Sequence, residues 1–310
     1  MTKIIIFFLC LTTTISCKKD DTVIIDKDSE QTTINLSVDG RDRSFLVYKP
    51  KGFNNAGSMP LIFINHGGQS TSQGMLQVAD FRNLADRDKF ILIYPQGFQN
   101  SWNDGRPTTA NQSGVDDVNF FRQMCNYAVA NLVVDNSKIY VTGLSSGGFM
   151  ASRLSCELSD RIAAVAIVGA SYEQGIYNSC TPTKTVSAIV MQGTADPLMP
   201  FNGGLVAGVA GGIAVSHNQA ILKLVTINNC SLTPATINLP DIANDGTTVV
   251  ETKYTNTTTN NEVIGYQIIG GGHTWAQGLQ YLPENIIGKT CQDINGNEII
   301  WQFFKRHKRN

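Results

Sequence analysis

The stretch "KIYVTGLSSGGFMASRLSCELS", residues 138–159, sets the reading of the whole chain. It starts with β-branched and aromatic residues, turns through Gly143-Leu-Ser-Ser-Gly147, and continues in helix formers. Met150, Leu154 and Leu158 recur at i, i+4 and i+8, so the second half can lay one apolar face on a sheet. A serine between a strand and a helix, flanked by glycines two residues away on each side, is the setting of a nucleophile held on a tight bend. The five-residue pattern G-x-S-x-G is weak by itself, so the rest of the chain has to supply its context.

Working outward, several segments are continuous apolar runs ending in glycine or a turn. These are "MPLIFINHGG" (59–68), "FILIYPQG" (90–97), "IAAVAIVGAS" (162–171) and "SAIVMQG" (187–193). Such runs suit strands buried on both faces. Between them lie helical patterns, in "GMLQVADFRNLADRDK", "GVDDVNFFRQMCNYAVANL" and "SHNQAILKLVTINN". "TTINLSVDGRDRSFLVYKP" alternates around Asp39-Gly40 and reads as a hairpin. "EVIGYQIIGGGHTW" is a late strand running into a loop, "NTTTNN" (256–261) a turn between two late strands, and "NEIIWQFFKRH" a closing helix. An initial hairpin followed by strand–helix alternation implies an α/β fold with a mostly parallel sheet and helices on both faces.

The ends of those strands carry the reactive residues, where ligands of open α/β sheets bind. A serine hydroxyl needs a base. Of the four histidines, His273 in "GGGHTW" lies in a loop after the last strand, the place from which a base reaches Ser145. The base needs a carboxylate to fix its tautomer. Asp196 in "QGTADPLMP" follows another buried strand. The order Ser145, Asp196, His273 is that of the Ser-acid-His hydrolases. The backbone N–H groups of Ser146 and of Gly68 or Gln69 in "HGGQ" are the expected oxyanion donors. Trp102 and Trp275 are the aromatic candidates for a substrate rim. Asp116 and Asp117 read as a helix start.

Composition narrows the classes. With 24 basic and 25 acidic residues the net charge is -1, which gives no footprint for nucleic acid and favours a neutral substrate. The basic end "FFKRHKRN" reads as a solvated helix terminus. "FNGGLVAGVAGGIAV" (201–215) lacks the G-K-[ST] ending of a phosphate loop and reads as a pliant flap. No C-x-x-C occurs, so no metal site is expected.

The first residues, "MTKIIIFFLCLTTTISC", have one Lys and an apolar run too short to span a bilayer. They read as an export signal over 1–16. "TISC" resembles a bacterial lipobox with Thr14 in place of the usual Leu, which makes Cys17 the expected lipidated N-terminus and the only link to a membrane. Residues 17–31 form a polar tether, and "CKKDD" resembles the tag of surface lipoproteins in some Bacteroidetes. Residues 32–310 form one domain. Without Cys10 and Cys17 five cysteines remain. A bridge between Cys156 and Cys180 is favoured, and the other pairings stay open.

At the quoted residues the chain resembles carbohydrate esterase family 1 and the related secreted poly(3-hydroxybutyrate) depolymerases, which include feruloyl and acetylxylan esterases. The likeness spans roughly residues 33–306 and rests on "NHGGQS", "YPQG", "SWNDG", "GVDDVNFF", "YVTGLSSGGFMASRLSCELSDRIAAVA", "QGTADPLMPFNGG", "GGGHTW" and "WQFFKRH". It implies an α/β-hydrolase fold, a Ser-His-Asp mechanism without metal or cofactor, and a shallow site for an ester on a polymer. The expected substrate is a feruloyl or acetyl group on plant polysaccharide. A polyhydroxybutyrate depolymerase or general short-chain esterase is the alternative. A polysaccharide-binding lipoprotein without turnover is the rival of another class, and the intact triad argues against it. Two departures, "DGRPTT" where relatives place a cysteine pair and Ala276 where they often have Pro, fall at the rim and bear on the substrate.

Overall fold

The computed structural model describes residues 30–53, 57–208 and 210–309. The expected export signal and Cys17 lie outside them. So does the tether, except that its last two residues, Glu30 and Gln31, already belong to the first strand.

The chain opens with β1 (Glu30–Val38), β2 (Arg41–Lys49), β3 (Met59–Asn65), α1 (Ser72–Val78), α2 (Arg82–Asp88) and β4 (Ile91–Pro95). Then come α3 (Thr109–Gln112), α4 (Asp117–Asn131), β5 (Val134–Leu144), α5 (Ser146–Glu157) and β6 (Ala164–Val168). They are followed by α6 (Gln174–Ser179), β7 (Ser187–Gly193), the two-residue strands β8 (Gly204–Leu205) and β9 (Ile213–Ala214), and α7 (His217–Ile227). The described chain ends with β10 (Ala235–Asn238), β11 (Thr248–Asn256), β12 (Asn261–Ile269), α8 (Glu284–Ile287) and α9 (Gly296–Phe304).

The main sheet has the order β1-β2-β4-β3-β5-β6-β7-β12-β11-β10. Its centre, from β4 to β12, is parallel, and the outer strands pair antiparallel. The first hairpin turns on Asp39 and Gly40, both at positive φ (51° and 72°), as a two-residue turn of this hand requires. Side chains of β3 alternate between two cores. Leu61 and Phe63 face α4, α5 and α7; Ile62 and Ile64 face α1, α2 and α9. Both faces are covered, which explains why the central strands read as unbroken apolar runs.

Two local expectations change. The periodic stretch 74–89 is two helices, because Asp80 caps the amide of Arg82 and the Tyr94 hydroxyl donates to Ala79 O at the break. The basic C-terminus is not merely solvated: Arg306 and His307 both reach Glu262 on β12. Cys156 and Cys180 form a disulfide, with Cys125, Cys230 and Cys291 buried as free thiols.

The register aligns the carboxyl ends of the central strands. Asn65 of β3 pairs with Gly143 of β5, and Gly143 with Ile167 of β6. The loops after β3, β5, β7 and β12 therefore emerge along one edge.

Candidate active site

Ser145 stands between β5 and α5 at φ 59° and ψ -122°. A non-glycine residue held there costs about 1–3 kcal/mol and has to be fixed by its surroundings. Its N–H donates to Val168 O on β6, and its C=O accepts from Phe149 N in the first turn of α5. Gly147 is required by close packing: a Cβ there would lie 2.3 Å from Asn65 O. The bend thus presents a half-buried serine at the sheet edge. Ser146 is the first residue of α5, so its N–H has no acceptor within the helix.

His273 follows β12. Its loop is pinned by its own N–H to Ile287 O and by the Tyr281 hydroxyl, which donates to His273 O at 2.7 Å. The imidazole Nδ1 lies 2.7 Å from Asp196 Oδ2, with side-chain exposures of 5% and 0%. Asp196 Oδ1 accepts the N–H groups of Leu198 and Met199, each at 2.8 Å. With the carboxylate so engaged, Nδ1 carries the proton and Nε2 keeps its lone pair. Ser145 and His273 line the same cavity.

The other histidines have different work. His217 binds Gln192 through Nδ1 and stacks on Phe201, behind the Asp196 loop. His66 is wholly buried against Trp102. Its Nε2 accepts the N–H of Gly97, so Nδ1 carries the proton and donates to Gly67 O at 2.7 Å. Gly67 O also accepts from Ser70 N. In a trans peptide the N–H points opposite to the carbonyl. Fixing the Gly67 carbonyl therefore aims the Gly68 N–H the other way. A Cβ on Gly68 would lie 2.9 Å from Ser146 Oγ, so this loop touches the residue after the serine. Gln69, the alternative donor, is excluded because its N–H is already given to Asn100 O at 2.9 Å. His66 escaped sequence reasoning in this role; its place beside the glycines of "NHGG" was the available signal.

The cavity holds about 510 Å³. Gln99, Asn100, Thr109 and Gln112 supply polar groups to it, and Leu198, Met199, Val206 and Ala207 supply apolar ones. Val206, Ala207, Gly208 and Ala210 come from the glycine-rich stretch, in which Gly204 and Leu205 of β8 pair with Ala214 and Ile213 of β9. Trp102 and Trp275 do not form its rim. They are 0% and 1% exposed. Their indole N–H groups are satisfied internally, by His66 O and by Asn297 Oδ1, each at 2.8 Å. Both are packing residues, one on each face of the sheet. Sequence reasoning also passed over Arg106, which is buried, lies over the Phe149 ring, pairs with Asp104 and donates to Ser146 Oγ at 2.6 Å.

Comparison with known proteins agrees with this architecture. Residues 43–199 match the model of the family described as esterase PHB depolymerase. The chain is 26% identical to NocK of Nocardia uniformis subsp. tsuyamanensis, over 86% of this chain and 80% of that protein. It is 26% identical to feruloyl esterase D of Neurospora crassa, over 54% of this chain and 58% of that enzyme's length. Among solved structures, an acetyl xylan esterase from Aspergillus awamori superposes with a TM-score of 0.61 at 14% identity, over 88% of this chain and 99% of that one. The last likeness establishes the fold expected from the sequence.

Proposed function

The chain belongs to the esterase PHB depolymerase family, a family of carboxylic-ester hydrolases, and from that premise we propose that it removes acyl groups from plant polysaccharide through an acyl-enzyme on Ser145. The observation that carries the reading is the Asp196–His273 contact of 2.7 Å in a loop lining the cavity that also exposes Ser145. Ser145 Oγ attacks the ester carbonyl while His273 Nε2 takes its proton. Asp196 holds Nδ1–H and stabilises the imidazolium. The N–H groups of Ser146 and Gly68 receive the charge that develops on the carbonyl oxygen. The intermediate then collapses, the bond from the carbonyl carbon to the sugar oxygen breaks, and the imidazolium protonates that oxygen so that it leaves as the hydroxyl. Water, deprotonated by His273, attacks the acyl-serine, and the acid leaves with Ser145 restored.

The polar groups of Gln99, Asn100, Thr109 and Gln112 suit sugar hydroxyls, and the aliphatic side chains of Leu198, Met199 and Val206 suit the acyl group. Acetyl and feruloyl are the acyl groups that the names of the relatives point to. With both tryptophans buried, ferulate gains no stacking partner from them, and the choice rests on fit to the aliphatic wall.

The same reading includes export and a lipid anchor at Cys17. The Cys156–Cys180 bridge suits an oxidising compartment. No helix among the described residues is long and apolar enough to cross a membrane. Mass spectrometry of the native protein tests the anchor, and an unmodified N-terminus elsewhere would exclude it. Catalysis is tested by Ser145→Ala with p-nitrophenyl acetate and by labelling with a fluorophosphonate. The expected results are loss of turnover and a single adduct on Ser145. A variant retaining a tenth of normal activity would overturn the assignment.

A further inference from the structure

Arg106 has five N–H donors, and three are spoken for. Nε faces both Asp104 oxygens, at 3.2 and 3.3 Å. Nη2 donates to Asp104 Oδ2 and to Ser146 Oγ, each at 2.6 Å. The two donors on Nη1 have no acceptor among the described residues. Nη1 is not sealed in the core either: Arg106 lines the cavity, and Nη1 keeps access to solvent. The side chain is 4% exposed and clamped from two sides. The Phe149 ring lies 4.2 Å below the guanidinium, and Gly212 approaches its aliphatic stem so closely that a Cβ would fall 2.7 Å from Cγ. A nearly buried cation with one end open is prepared for an acceptor from outside.

The surroundings select the charge of that acceptor. Among the described residues that line the cavity there is no Asp or Glu, and Arg106 is the one permanently charged side chain. Asp104 is sealed behind the guanidinium and does not reach the cavity. A carboxylate entering here meets no acid on the cavity wall, because Asp104 is held on the Nε–Nη2 edge of the guanidinium, and it gains charge-assisted bonds from Nη1, which are the strong ones. Nη2 holds Ser146, the residue after the nucleophile, so the guanidinium stands beside the elbow in the cavity that Ser145 also lines.

We infer that Arg106 forms a carboxylate subsite, and that the preferred esters carry an acid group near the bond that is cut. The acid can belong to the sugar, as a uronic acid residue, or to the acyl group, as the half-ester of a dicarboxylic acid. The inference rests on the esterase reading of the same cavity and deepens it by naming the substrate class.

Binding is measured by calorimetry on the Ser145→Ala protein, with D-glucuronate against D-glucose and succinate against succinamide. At least one carboxylate should bind on the order of tenfold to a hundredfold tighter than its neutral counterpart, as for hydrogen bonds to charged groups. Preference for glucuronate assigns the acid to the sugar, and preference for succinate assigns it to the acyl group. The gap should vanish in Asp104→Asn/Arg106→Gln, which removes both charges and leaves no buried carboxylate unpaired. In the unsubstituted protein the same pairs, used as competitors of p-nitrophenyl acetate, should show the same gap without any change at the pair. Equal binding of acid and neutral ligand, or a gap that survives the double substitution, overturns the subsite. Neither result touches the esterase reading, which stands or falls on turnover by Ser145.

Discussion

Replacing Asp196 by Asn tests the proposed chemistry at its most constrained point. Asp196 uses both oxygens: Oδ1 accepts two backbone N–H groups at 2.8 Å, and Oδ2 accepts His273 Nδ1–H at 2.7 Å. An Asn has one oxygen. It must face Leu198 and Met199, because an NH₂ group there would confront two donors. The NH₂ is then turned to His273 Nδ1, which has to become the acceptor. The ring proton moves to Nε2, and Nε2 can no longer take the proton of Ser145. The expected loss in kcat is on the order of 10⁴, as in a serine protease triad with the same change, or about 5 kcal/mol at 1.36 kcal/mol per decade. The fold should be nearly unaffected, since shape and the two backbone bonds persist. Asp196→Ala is the contrast. It orphans two amides and should also cost stability, about 1–3 kcal/mol for each. Burst titration and steady-state hydrolysis of p-nitrophenyl acetate, with urea unfolding as control, give both quantities. A loss below tenfold for a folded Asp196→Asn protein would refute the tautomer argument and remove Asp196 from the mechanism.

Three further outcomes are expected. Burial pushes His66 and His217 each down to about 4, whereas an unfolded imidazole titrates near 6.5; between those values the unfolded chain binds protons that the folded chain refuses. Stability should be full above about pH 6.5 and fall toward pH 4, by about 3 kcal/mol per ring, and urea midpoints that stay flat across this range would contradict it. Opening the Cys156–Cys180 bridge, whose sequence separation is 24, should cost about 3 kcal/mol by the loop-entropy relation and leave kcat unchanged, as read by unfolding with and without reductant. Trp275→Phe should lower stability through the lost bond to Asn297 and alter kcat/KM for methyl ferulate and p-nitrophenyl acetate by the same factor; unequal factors would return Trp275 to the substrate rim.

Much of this site was legible in the sequence because each of Ser145, Asp196 and His273 follows a strand buried on both faces. The strand before Asp196 announces itself as an unbroken apolar run, those before Ser145 and His273 by their β-branched and aromatic residues, and the strand order fixes which loops share an edge. What failed depended on partners distant in sequence. Trp102 and Trp275 sit in motifs near reactive residues, yet His66 O and Asn297 Oδ1 allow both indoles to be buried. Gln69 has the right position for an oxyanion donor, and only the return of the chain at Asn100 takes its N–H away. β10 escaped because all four of its residues are exposed and carry no alternation. The net charge of -1 pointed to a neutral partner, but a whole-chain sum does not report that Asp104 is sealed while one end of Arg106 is open to the cavity.

The segment from Ser101 to Asp117 shows what buried charge does in this fold. Its two ion pairs, Arg43–Asp117 and Arg106–Asp104, have exposures of 4% or less on every side chain. Pairs of this kind lose hydration that their attraction only partly regains, and apolar replacements of equal volume are often neutral or stabilising. Stability is therefore a poor account of them, and position is a better one. Asp117 Oδ2 accepts the N–H of Asn103 at 2.6 Å, while Asn103 Nδ2 donates to Val115 O. Arg153, on α5, donates to both Asn103 O and Oδ1 at 2.8 Å. The chain of contacts runs from β2 through α4 to α5 and returns through Arg106 to Ser146. This same segment supplies Arg106, Thr109 and Gln112 to the cavity wall. A shift of Asp117 would displace Asn103, and with it the helix that carries the elbow. The cavity wall and the helix behind Ser145 are thus tied into one hydrogen-bonded frame. The proposed acyl transfer needs such a frame, because misplacing reacting groups by even 1 Å can cost about 10²-fold in rate.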